Sequence, residues 1–263
     1  MISYLSLIKV RLLSLLQYKA AALAGVFTQL FWGFIRVMIF QAFYLSTNKL
    51  MPMSSTDAIT YIWLGQAFLL LVPWNMDKEM MSLIRTGNVA YEMIRPLDCY
   101  WYWFAKAFGF RTAPVLLRAI PLFIIVFPFF GMGAPAGIFA LGAFFISLCF
   151  AILLSSAITV LINITLFWTI SGAGIYHIFP SLMMMLSGLI IPLPLFPEWL
   201  QSIIKILPFR GIIDSPFRLY MGHINYTQLP EILIHQGIWI FLIIILGRFL
   251  LSRGLKKITI QGG

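Results

Sequence analysis

Long apolar runs separated by short polar punctuation dominate this chain. A run of about 20 apolar residues crosses the hydrocarbon core of a bilayer at roughly 1.5 Å per helical residue. Six such spans are expected, near 21–45, 58–75, 114–130, 137–166, 175–195 and 232–251. The first residues follow another pattern. Leu5, Ile8, Leu12, Leu15 and Leu16 share one face at helical spacing, opposite Ser3, Ser6, Lys9, Ser14 and Gln17. That spacing predicts an amphipathic helix over 3–17 lying on a membrane surface. Leu7, Val10 and Leu13 blur the face, and a frayed start of the first span is the alternative. Gln17, Tyr18 and Lys19 interrupt the run before any cleavage site, so no cleavable signal is expected.

Two stretches break the apolar rhythm. The connection between the second and third spans contains RTGNVAYEMIRPLD at 85–98. Residues 74–86 read as a helix with Asp77 and Glu79 near its start and Arg85 near its end, the order that suits a helix dipole. Gly87 and Asn88 permit a left-handed turn. Val89 to Arg95 then predicts a second short helix, which Pro96 ends or redirects. A two-part helical elbow of mixed charge suits the docking of a soluble partner, and a plain connection needs far fewer residues. The other stretch, 192–222, is cut by Pro192, Pro194, Pro197, Pro208 and Pro216. Pro197 can begin a helix over 197–207 containing Trp199, Leu200, Ile203, Ile204 and Leu207. Its length is too small to span and predicts a re-entrant or interfacial helix.

Composition agrees. Of 263 residues 61% are hydrophobic and 10% charged, against roughly 45–50% and about 25% in soluble domains. The expected fold is an all-α polytopic membrane protein, a single domain over 1–263 with no linker or repeat. The net charge of +10 does not require nucleic acid, because basic residues gather in cytoplasmic loops. Lys9, Arg11, Lys19, Lys78, Arg85, Arg95, Lys106, Arg111, Arg118, Arg248, Arg253, Lys256 and Lys257 fall on one side of the six-span arrangement. The other side holds only Lys49, Lys205, Arg210 and Arg218. Both termini are therefore expected in the cytoplasm. Tyr44, Tyr61 and Trp63 mark the outer interface, and Trp74, Trp101, Tyr102 and Trp103 the inner one. Cys99 and Cys149 imply neither a disulfide nor a metal.

Arg36 is the conspicuous charge inside a span, and no Asp or Glu in any span is placed to pair with it. It can snorkel or bind backbone carbonyls, meet a carboxylate of another subunit, or face a wet pathway. Gln29 and Gly33 share its face. Ser147, Ala151, Ser155, Thr159 and Asn163 recur every fourth residue, forming a ridge for helix packing or for lining a cavity. Pro180, Met183, Met184, Met185, Ser187 and Gly188 suit either a moving helix along a pathway or ordinary core. His177, His223 and His235 are scattered without metal-ligand spacing, and Ser beside Gly at 171–174 and 186–189 lacks a His and base. These absences disfavour an intramembrane enzyme. An ion-coupled transporter or channel is disfavoured by the missing intramembrane carboxylates.

The run RTGNVAYEMIRPLDCYWYWFAKAFGFR resembles the cytoplasmic coupling region of type-2 ABC exporter permeases, and more narrowly of a bacterial branch of ABC transport permeases. Gly87, then Arg95-Pro96-Leu97, then an aromatic cluster carry the likeness, with PLFPEWLQSIIKILPFRGIIDSPFRLYMG at 194–222 as a second match. The resemblance implies a permease in the bacterial inner membrane that works with a second, identical or related permease and with separate ATP-binding cassette subunits. Glu79, Arg85, Gly87, Glu92, Arg95 and Pro96 would couple it to the ATPase. Gln29, Gly33, Arg36, Ser155, Thr159, Asn163, Met184 and Gly188 would line the pathway or the subunit interface. Pro197, Trp199 and Pro208 would form an outer re-entrant gate. The chain itself has no Gly-x-x-x-x-Gly-Lys-Ser/Thr loop, so ATP and Mg are expected on the partner, with no cofactor or metal here.

Overall fold

The computed structural model describes residues 2–47, 50–73, 78–94, 96–169 and 173–257, and no strand occurs among them. In chain order the helices are α1 (Ile2–Leu16), α2 (Lys19–Ser46), α3 (Ser55–Ala67), α4 (Lys78–Arg85), α5 (Val89–Met93), α6 (Cys99–Phe129), α7 (Ile138–Ile164), α8 (Ala173–Leu186), α9 (Glu198–Ile204), α10 (Asp214–Tyr220) and α11 (Leu229–Leu255). Among the described residues four helical stretches are long and apolar enough to cross a membrane: Lys19–Ser46, Cys99–Phe129, Ile138–Phe167 and Tyr226–Leu255. The expected runs 58–75 and 175–195 are not continuous helices of that length. The first is the 13-residue α3 followed by a tight turn at Leu69–Leu71. The second is the 14-residue α8, after which Gly188 turns the chain at a φ of 88°.

The third run also differs from its expected bounds of 114–130. Asp98 caps α6 by accepting from the Trp101 N–H at 3.0 Å, so the helix starts well before the apolar run does. Trp101, Tyr102 and Trp103 belong to its first two turns, and the connection preceding it is correspondingly shorter. Arg248 of α11 reaches the same Asp98 at 3.0 Å, and the Tyr4 hydroxyl of α1 accepts from its backbone N–H at 3.1 Å. One cap thus ties three helices. α1 is helical over nearly the expected residues and packs on α6, where Gly109 lets the Arg11 stem and the Ile8 carbonyl come close. Leu5, placed on its apolar face by spacing, is exposed.

α3 stands in the middle of the bundle. Tyr61, Ile62, Trp63 and Leu64 are all buried to within 1%, which covers its full circumference, as befits a helix that is apolar all round. α2 packs on it where Gly33 sits under Trp63, leaving no room for a methyl group. The Trp63 indole N–H donates to the Phe130 carbonyl at 3.2 Å. α7 lies against α6, α10 and α11. Between α7 and α11 the Gln236 amide is buried, donating to the Ser147 carbonyl at 3.1 Å and the Gly211 carbonyl at 2.6 Å.

Candidate coupling elbow and outer gate

α4 and α5 are the two halves of the expected elbow, joined through Gly87 at a φ of 74°. No other residue type adopts that conformation as cheaply. Glu79 on α4 meets Lys106 of α6 at 2.7 Å and Arg11 of α1 at 3.0 Å. Lys106 also lies 3.6 Å from Glu92 of α5 and 4.9 Å from the centre of the Tyr102 ring. The Trp103 indole N–H donates to the second Glu92 oxygen. Burial alone would raise the Glu79 carboxyl, but Lys106 and then Arg11 outweigh it and hold it below its ordinary value. Met80 and Val89 bury the inner side of both short helices against Tyr100, Trp103, Val160 and Ile164.

Glu92 therefore faces into the chain, only 5% exposed, while Glu79 is tied to Lys106 and Arg11 at the rim with its side chain 47% exposed. The elbow presents something else outward. Tyr91 and Ile94 are 70% and 79% exposed, large apolar side chains on a segment outside the long helices. Arg85 ends α4 and Pro96 follows α5 as an exposed residue. Arg95, together with Lys49, Trp74, Asp77 and Ser171, lies outside the described residues.

The ridge on α7 is buried inside one chain. Ser155 donates to the Leu71 carbonyl, Thr159 accepts from Arg111 Nε at 3.0 Å, and the Asn163 amide donates to the Met80 sulfur at 3.4 Å. Arg111, read from sequence as one more loop cation, is 2% exposed on α6. Its Nη1 donates to the carbonyls of Leu70 and Val72 at 3.4 Å each. Those carbonyls follow the end of α3, where backbone acceptors have no helical partner and no water is at hand in a bilayer.

Arg36 repeats the arrangement at the other end of the bundle. Its guanidinium donates to the carbonyls of Leu189 and Ile190, just beyond α8, so of the accounts open in sequence it is carbonyl binding that the structure contains. Met183 is fully buried and Met184 partly so, while Met185 is 44% exposed. A Cβ on Gly188 would lie 2.5 Å from the Tyr61 hydroxyl. Gln29 is 2% exposed, and neither of its amide atoms has a partner among the described residues.

Beyond α8, Pro197 caps α9, Trp199 is 67% exposed, and the buried Pro208 opens a tight turn at Pro208–Gly211. α10 then brings in a carboxylate that sequence reading passed over. Asp214 is 2% exposed, accepts from the Tyr61 hydroxyl at 3.3 Å and lies 3.7 Å from Arg218. Burial pushes its carboxyl up to about 6, against the pull of Arg218, Tyr61 and Arg210. The folded chain keeps this proton to higher pH than the unfolded chain does. Asp214 thus favours folding below its ordinary 3.8, and that contribution is lost as pH rises through about 6. Asp214→Asn is expected to flatten the pH dependence of the thermal midpoint in that window. An unchanged slope would assign the dependence to other groups. Asp214 was legible only as the residue before Ser215-Pro216; its burial depends on α3, some 153 positions away.

The sequence model of one family, described as ABC-2 family transporter protein, matches residues 30–262. No curated protein matches the chain.

Proposed function

Because the chain belongs to the ABC-2 transporter family, we propose that it is the membrane-spanning permease of an ATP-driven exporter. Family membership implies association with ATP-binding cassette subunits, and the elbow is our candidate for their grip. The observation that carries the reading is its construction. Glu79 and Glu92 bind the elbow to α1 and α6, while Tyr91 and Ile94 stand exposed. A push on those two side chains would pass through Lys106 into the longest helix of the bundle.

In this reading α3 and α8 complete six spans with the turns that follow them, and both termini are cytoplasmic in the bacterial inner membrane. Two permeases, identical or related, enclose the pathway. The α9–α10 segment with Trp199 and Pro208 closes its outer mouth, and Arg36 links that closure to α2. Arg85 and Arg95 are coupling candidates by their place in the sequence alone. ATP and Mg bind to the partner alone.

Tagged protein, gently solubilised from its native membrane, should carry a Walker-motif ATPase with it. Tyr91→Asp with Ile94→Asp should abolish the co-purification without lowering the yield of folded permease, because exposed substitutions cost little stability. A permease recovered alone, under conditions that keep other ABC complexes intact, would sink the proposal.

A further inference from the structure

We infer that the seam between α2 and α6 binds the anionic headgroup, phosphate or carboxylate, of a membrane amphiphile on Arg118. Of the arginines within the long apolar helices, Arg36 spends its donors on the carbonyls of Leu189 and Ile190, Arg111 on those of Leu70 and Val72, Arg248 pairs with Asp98, and Arg253 lies over the Phe249 ring. Arg118 differs. Among the described residues it has no ion pair and no hydrogen bond, though it lies in the apolar stretch of α6. A cation on an apolar helix with no counter-charge in its own chain is read first as a functional site.

The surroundings are shaped for a ligand. Arg118 lies over Gly25 of α2, where a Cβ would come within 2.3 Å of its Cζ. The absent side chain gives the guanidinium its resting place. One helical turn further on is Gln29, buried with both amide atoms unpartnered. Few buried amides stay unsatisfied, so this one points to a donor or acceptor that arrives when the seam opens. Phe27, Leu116 and Ile120 are exposed apolar neighbours in sequence, a surface for an acyl chain. Gly25 is six residues, about 9 Å, along α2 from Lys19. That depth is near one face of the membrane, where headgroups meet hydrocarbon. A guanidinium suits phosphate or carboxylate because its donors form a planar fork matching two oxygens.

The test uses the full chain in phosphatidylcholine nanodiscs, with dodecyl phosphate as the probe and dodecyl maltoside as its uncharged counterpart. Dodecyl phosphate should raise the thermal midpoint and dodecyl maltoside should not. Arg118→Gln should weaken dodecyl phosphate binding about tenfold or more, and Arg118→Lys should restore part of it. Gly25→Ala pushes the guanidinium aside without removing it and favours helix, so it should weaken binding in a chain that still folds. Absence of a shift in the wild type, or equal binding by Arg118→Gln and Gly25→Ala, would overturn the inference. Native mass spectrometry after extraction from membranes containing phosphatidylglycerol separates the sources. Arg118-dependent retention identifies a resident lipid, and probe binding without retained lipid identifies a free or transported amphiphile. Lipid retained equally by Arg118→Gln would count against the site. No step needs the ATPase, so the seam can fail while the permease reading stands, or the reverse.

Discussion

Arg111→Ala is expected to cost about 3 kcal/mol of stability, enough to deplete folded protein in the membrane. The side chain is 2% exposed, and its acceptors include Thr159 and the carbonyls of Leu70 and Val72. Removing it strands those carbonyls at the end of α3. A cavity of guanidinium size adds to the loss. Arg111→Lys keeps the charge but lacks the fork that reaches α7 and the α3 end together, so it should recover only part. The measurement is the thermal midpoint of purified protein in detergent. A midpoint for Arg111→Ala within a degree or so of wild type would show that α3 ends without help from α6.

Lys106→Met is expected to be nearly as severe, for the opposite reason. Lys106 is the cation shared by Glu79 and Glu92. Glu79 keeps Arg11 and is 47% exposed at its side chain, so it survives the loss. Among the described residues Glu92 has only the Trp103 N–H left, and stranding a buried carboxylate costs about 3 kcal/mol. Adding Glu92→Gln should therefore restore the midpoint. It should not restore transport, because α5 would still lack its charged tie to α6. Hydrogen exchange over 78–94 would report the elbow directly, faster in Lys106→Met than in wild type. If the double variant is no more stable than the single one, Glu92 is not the stranded group.

Much of the fold was legible because hydropathy and helix signals are local. α1, α2, α7 and α11 lie close to where spacing put them, and so do the Gly87 turn and the Pro197 start of α9. The errors came from interactions that are not local. A window over 58–75 averages through the break after Ala67, which exists because Arg111 accepts its cost from another helix. The start of α6 was hidden because its first turns are aromatic and charged, although the Asp98 cap was there to be read. At the elbow, charge drew attention to Glu79 and Glu92, and both are engaged by cations of the same chain, Glu92 in the interior and Glu79 at the rim. Tyr91 and Ile94 could have been suspected from helical spacing alone, since they lie across from the buried Val89 and Glu92. Asp214 and Arg118 owe their character to partners they have or lack, which no stretch of sequence displays.

The two arginine ties also set an order for building the protein. The carbonyl of Leu70 depends on a guanidinium that appears 41 residues later in the chain, and Leu189 depends on one made 153 residues earlier. As the chain emerges, α3 has no stable resting place in lipid until α6 follows it. α8, by contrast, enters a bilayer where its anchor already waits. Insertion of the first half is thus expected to proceed as a unit of α2, α3 and α6 rather than one helix at a time. A chain truncated before Arg111 should leave α3 accessible to water, and extension by a few residues past Arg111 should close it.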